Sequence, residues 1–296
     1  MEKITLEHKS LFDNYLNQSN FTSSEMNFTN LFMWRDFYKF EFFKINEMIC
    51  LIAAPEEEEP FAFAPIGNYT SSKFKACINA IKEYFYEKGW KVVFRRVEEN
   101  KLQYFEKHIS EQIKVEYDRD NSDYIYLSEH LINLKGRKYH NKRNHINGFL
   151  KKYKYEYVKL TKTHIEDALI VGEEWYSKRD DKQTSGIYLE KLANEELLKN
   201  YNRLDCIGGL VKVNGRFEAY TVGEIFGNNY AVIHIEKANS DIKGLYSFIN
   251  QKFCENELGN VLFINREQDL GIKSLRRAKN SYNPIKYTNK YNIYIN

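Results

Sequence analysis

The sequence is poor in proline. Three of its four prolines fall between residues 53 and 65, beside the acidic run Glu56–Glu59. That stretch reads as one exposed loop, and no Pro-rich linker divides the rest of the 296 residues. The four cysteines, Cys50, Cys77, Cys206 and Cys254, stand far apart. No pair has zinc-ligand or redox spacing, so reduced thiols of a cytoplasmic protein are expected. There is no Ser-His-Asp set, no Walker loop and no metal cluster, and no tightly bound cofactor is expected. No apolar run approaches the roughly 18–20 residues that span a bilayer. The first residues, MEKITLEHKS, lack the apolar core of a secretory signal. A cytoplasmic location follows, with membrane contact at most peripheral. Net charge is only +3. No global field therefore demands an anionic partner, and any basic site must be local.

What is present is an α/β pattern long enough for about two domains. Asn214-Gly215 separates IGGLVKV from RFEAYTVGEIF and predicts a two-residue hairpin. Gly227-Asn228-Asn229 turns the chain into YAVIHIEK. Ile242, Leu245, Ile249 and Phe253 share one helical face, with Gly259 placed to end that helix. VLFIN is a short apolar strand, and Ile272, Leu275, Ala278 and Tyr282 mark another helix before Pro284. The chain also echoes itself. FAFAPIG, helix, KVVFRRVEE, helix, KVEYD…YIYL has the same strand–helix–strand–helix–strand order as YAVIHIEK, helix, VLFINREQD, helix, IKYTNKYNIYI. The echo predicts a duplication, split into residues 1–127 and 128–296.

The element order of the last third resembles the acyl-transfer fold of the GNAT superfamily. The motifs TVGE, HIEKA, INREQDLG and LRRAKNSYNP, with NLFMWRDF and KYHNKRNHIN upstream, resemble the phosphatidylglycerol lysyltransferase C-terminal domain family. The resemblance implies a mixed-sheet α/β protein of two tandem GNAT-like units. It also implies kinship with Fem-type enzymes, which move amino acids from tRNA onto cell-envelope acceptors.

Between the halves lies a basic segment. Lys135, Arg137, Lys138, Lys142, Arg143, Lys151, Lys152 and Lys154 fall in a window, Leu131–Lys154, without Asp or Glu. If residues 139–153 are helical, Tyr139, Ile146, Leu150 and Tyr153 form its apolar stripe. Lys138, Lys142, Arg143, His145 and Lys152 are then the candidate phosphate contacts for tRNA.

Acetyl-CoA enzymes of the GNAT type cradle a diphosphate on a Gln/Arg-x-x-Gly-x-Gly/Ala loop and the following helix N-terminus. Here the segment is KANSDIKGLYSF, with Asp241 at the Gln/Arg place, Gly244 at the first glycine and Tyr246 at the second small residue. A carboxylate repels diphosphate and a Tyr impedes backbone approach, so weak CoA binding is expected, with Lys237 or Lys243 as compensating cations. For chemistry, His234 and Glu236 end the fourth strand of the unit and by simple alternation share a face. Either could serve as base, with Glu224 on the neighbouring strand. Glu224 could equally pair with Lys237 or Arg266. Asn265, Arg266 and Glu267 follow the next strand, where polar residues point into the ligand crevice of open sheets. Arg266 is a candidate clamp and Glu267 its partner. Arg277 and Lys279 decorate the last helix, and Tyr282 stands where many such enzymes protonate the leaving group.

The expected activity is transfer of an aminoacyl group from aminoacyl-tRNA to an amine or hydroxyl, such as a lipid head group or envelope precursor. The alternatives are an acyl-CoA-dependent N-acyltransferase and a non-catalytic sensor. The expected partners are accordingly tRNA or CoA and a small-molecule or lipid-head-group acceptor.

Overall fold

A computed structural model describes residues 1–181, 184–227 and 229–295. Asn228, in the turn expected after Phe226, lies outside the described residues. The chain forms two compact units, neither contiguous in sequence. One comprises Met1–Asp123, Gln268–Lys273 and the residues from Tyr287 onward; the other comprises Tyr124–Glu267 and Ser274–Lys286.

The first seven strands are β1 (Glu2–Lys3), β2 (Glu41–Ile45), β3 (Met48–Ala53), β4 (Phe61–Ala62), β5 (Ile66–Gly67), β6 (Val93–Glu98) and β7 (Ile113–Tyr117). The next seven are β8 (Asp123–Leu127), β9 (Tyr155–Lys159), β10 (Cys206–Val213), β11 (Arg216–Phe226), β12 (Tyr230–Ala238), β13 (Phe263–Asn265) and β14 (Lys286–Thr288), and β15 (Lys290–Ile295) closes the series. The first sheet runs β1-β2-β3-β4-β6-β15-β7, with β5 also on β3. The second runs β14-β8-β13-β12-β11-β10-β9.

The two orders match, but each sheet takes one strand from the other half of the sequence. The repeat read from the sequence put YIYL in the first series and KYNIYI in the second. Instead β15 lies between β6 and β7, antiparallel to both, and β8 lies beside β13 in the second sheet. Burial explains the placement. Tyr124, Ile125 and Tyr126 are all fully buried, so β8 has no solvent face and needs a neighbour on each side. Ile293 is likewise buried in β15, opposite Phe94.

In the first unit the strand ends are consumed by internal pairs. Lys290 Nζ lies 2.5 Å from Glu25 and 2.6 Å from Asp123, and Arg96 bonds the Tyr38 hydroxyl at 2.6 Å. Glu98 accepts the backbone N–H groups of Thr22 and Ser23 at 2.8 and 2.7 Å. The acidic run Glu56–Glu59 is exposed, as a solvated turn should be.

In the second unit, Asn214 and Gly215 have φ of 52° and 91°, the positive values that the β10–β11 hairpin requires. Apolar Leu245, Phe248, Ile249 and Phe253 bury one face of the helix Leu245–Glu257. Ile242 precedes that helix rather than joining it. The helix His140–Lys152 packs on it, with the Phe149 and Phe248 rings 4.7 Å apart. Phe149, fully buried, takes the stripe position expected for Leu150, which is 39% exposed.

Candidate functional site

The site is built where β12 leaves its neighbours. Pairing of β12 with β13 covers only Tyr230–Val232 against Phe263–Asn265. On the other side, Val222 pairs with Ile235 and Gly223 with Ile233, which leaves His234 as an extra, bulged residue. Gly223 permits this close approach, because a Cβ there would stand 2.2 Å from the Val232 carbonyl oxygen. The bulge breaks the simple alternation that placed His234 and Glu236 on one face. They go to different partners.

His234 has no exposed side-chain surface. Its Nδ1 lies 3.1 Å from Glu267 Oε1 and its Nε2 lies 3.5 Å from Glu224 Oε1. Burial alone would push the imidazole down. The carboxylates of Glu224 and Glu267 outweigh it and raise the pKa to about 9. This favours the imidazolium, which is not the state of a general base. The imidazole lies between the carboxylates of Glu224 and Glu267.

Glu236 meets a different set. Its Oε1 accepts from Arg266 Nη2 at 3.0 Å and its Oε2 from Asn250 Nδ2 at 2.9 Å. The Arg266 guanidinium lies 4.6 Å from the Tyr282 ring centroid. Its Nη1 is buried and has no hydrogen-bond partner in the protein. Lys142 Nζ rests 3.7 Å from the same ring centroid. Tyr282 is 5% exposed. Burial pushes its phenol up, partly offset by Arg266. Four of the candidates, Glu236, Arg266, Tyr282 and Lys142, therefore converge. Asn250 completes the cluster and was missed from the sequence. Its signal was there: a polar residue beside Ile249 on the buried face of an apolar helix.

The diphosphate loop is altered more deeply than the sequence suggested. Gly244, at φ 94°, opens the helix Leu245–Glu257. A Cβ on it would stand 2.3 Å from the His145 carbonyl oxygen. The backbone of the helix His140–Lys152 is thus seated against this turn. Asp241 is tied to Lys178 at 2.7 Å, and the Tyr246 hydroxyl accepts from Trp175 Nε1 at 2.6 Å. A cavity of about 230 Å³ opens beside them, lined by Trp175, Lys178, Arg179, Asn239 and Tyr246 among others.

Several expected ligand contacts are already engaged. Lys237 is buried, bonds Glu190 at 2.6 Å and stacks 3.6 Å from the Trp175 ring centroid, so it does not compensate at the loop. Arg266 pairs with Glu236, whereas Glu267 holds His234. Asn265 Oδ1 accepts the Glu267 N–H at 2.7 Å and shapes the turn. Lys279 bonds the carbonyl of Arg266. Arg143 bonds the carbonyls of Leu134 and Gly136. Lys138, His145, Lys152, Lys243 and Arg277 are exposed.

Two sheets of this order, each with a strand–helix–strand crossover at its centre, define a tandem GNAT-type fold. Residues 16–294 match the family described as phosphatidylglycerol lysyltransferase, C-terminal, and the chain belongs to that family. A conserved protein of unknown function from Bacteroides thetaiotaomicron is 31% identical, with 100% of this chain and 99% of that one covered and a TM-score of 0.93. L-PGS from Bacillus licheniformis shares the fold at 14% identity and a TM-score of 0.70, covering 99% of this chain and 93% of that one. FemX does so at 10% identity and 0.61, covering 99% and 96%. Among curated proteins, an uncharacterized protein of Mycoplasmoides gallisepticum is 23% identical over 184 residues, 59% of this chain. The match spans 58% of that relative's length. Family and structural neighbours together point to acyl or aminoacyl transfer. Among the described residues, no helix is long and apolar enough to cross a membrane and no metal-binding cluster occurs.

Proposed function

We propose that the second unit transfers an aminoacyl group from aminoacyl-tRNA to an amine or hydroxyl acceptor, such as a lipid head group or an envelope precursor. The observation that carries this reading is the helix His140–Lys152 seated on Gly244. It walls off the approach that CoA would need. Its outer side presents His145, Lys151 and Lys152 to solvent, with Lys138 exposed in the turn before it, where a nucleic-acid backbone can lie.

The chemistry requires a donor for the oxyanion that forms at the ester carbonyl. Arg266 supplies it through Nη1, which has no partner in the protein. Glu236 then fixes the guanidinium through its 3.0 Å bond to Nη2. Tyr282 packs against the guanidinium and orients it. His234, a bridging cation, holds the bulge.

Binding to tRNA should fall steeply between 50 and about 200 mM salt, as phosphate contacts release counterions. The triple substitution of Lys138, Lys151 and Lys152 by Glu should abolish it. Filter binding across a salt series checks both, and no binding at low salt sinks the donor assignment. CoA should bind weakly in calorimetry. Submicromolar affinity, or a diphosphate on the Asp241–Gly244 turn in a crystal, would reassign the chain to acyl-CoA chemistry. Transfer of a radiolabelled aminoacyl group to a lipid or peptide-precursor extract tests turnover directly. Tight tRNA binding without any transfer would favour a sensor.

A further inference from the structure

Lys142 differs from the other positive residues of its helix and of the turn before it. Lys138, Lys151 and Lys152 are exposed, and Arg143 is tied to backbone carbonyls. Lys142 turns inward instead and lays its ammonium on the face of Tyr282. No carboxylate lies within ion-pair distance of it among the described residues. The charged groups that face it are Arg266 and Glu236, from the ends of β13 and β12, and these are bonded to each other. Tyr282 comes from the segment after the last helix. On its own helix the titratable neighbours are His140, Arg143 and His145, with Lys138 in the turn before it; Arg143 is bonded to carbonyls and the others are exposed.

Contact with the ring favours the ammonium, whereas burial and a guanidinium whose counter-charge is already taken oppose it. Burial and the Arg266 charge both push Lys142 down, with Glu236 opposing, to about 8. Near neutral pH a sizeable fraction is then neutral amine, against about one part in a thousand for an ordinary lysine.

We propose that Lys142 is the proton acceptor of the transfer step. The proposal rests on the aminoacyl-transfer reading. The neutral amine of Lys142 takes a proton from the acceptor nitrogen or oxygen as that atom bonds to the ester carbonyl carbon. The carbonyl electrons move onto the oxygen held by Arg266 Nη1. When the tetrahedral species collapses, the bond from carbonyl carbon to ribose oxygen breaks. Its electron pair stays on the ribose oxygen, which takes the proton back from Lys142. No oxidant or further reactant enters, and the lysine ends as it began.

Two measurements on the full chain test this. Competitive acetylation with acetic anhydride across pH, read by peptide mass spectrometry, reports the ionisation of each lysine without any turnover. Lys142 should titrate more than one pH unit below the exposed lysines. Lys142→Cys, in a Cys206→Ser background because the other three cysteines are buried, should lose about 10²–10⁴-fold in transfer rate. Alkylation with bromoethylamine should restore the rate and move the acid limb of the pH profile to lower pH, because thialysine is the more acidic amine. Lys142→Arg should fold and stay inactive, since a guanidinium cannot accept the proton. Lys142 titrating with the exposed lysines, or Lys142→Arg turning over at the wild-type rate, overturns the proposal and leaves the aminoacyl-transfer reading standing. A wild type that transfers nothing from any aminoacyl-tRNA overturns that reading, and this proposal with it.

Discussion

Glu236→Gln is expected to destabilise the protein by about 3–5 kcal/mol, the usual consequence of leaving a buried charge without its partner. Glu236 and Arg266 are only 12% and 13% exposed and bonded at 3.0 Å. The neutral amide still fits, yet the guanidinium keeps its desolvation cost and loses the compensating carboxylate. Adding Arg266→Met should recover much of the loss, since removing both charges removes the penalty. Denaturant melts of the single and double variants check this. A single variant as stable as wild type would mean that the bridge is not closed in solution.

The second large effect is a pH dependence carried by His234. Its pKa rises from 6.5 in the unfolded chain to about 9 in the folded protein. The folded state therefore binds the proton more tightly, and the bridge stabilises most where both states are protonated. That contribution is about 3 kcal/mol, full below about pH 6.5 and lost as pH rises through about 9. His234→Gln should remove it and leave Glu224 and Glu267 facing each other. The stability difference between wild type and variant should be widest at pH 6 and shrink towards pH 9. A difference that is flat across this range would show that the imidazole is neutral in the fold.

Much of the fold could be read from residue order. Asn214-Gly215, the apolar helix face of Leu245, Ile249 and Phe253, and the repeated strand–helix–strand pattern all rest on local chemistry, which a sequence displays directly. Sheet membership did not. Nothing within the residues of β15 says whether it will pair with β13 or with β6, because that choice depends on which edge is left open. The same divide runs through the site. Arg266, Glu236 and Tyr282 stood at legible places, at strand ends and after a helix. The bulge at His234 could not be seen, since it depends on how Gly223 passes the Val232 carbonyl. Lys142 was read as one of a row of surface cations. Its inward turn needs Tyr282, 140 residues away in sequence, to supply the surface it lies on.

The exchanged strands also set the order in which the molecule can be made. During synthesis β1–β7 emerge first, but the place between β6 and β7 stays open until residues 290–295 have left the ribosome. By then the whole second sheet has been translated. The N-terminal half must wait with two unpaired strand edges, each a template for unwanted pairing. The long sequence separation of these contacts makes their closure slow. A chain released early, after residue 127, would carry β8 without the sheet that buries it and lack β15. Such a fragment is a substrate for chaperones and proteases rather than half of an enzyme.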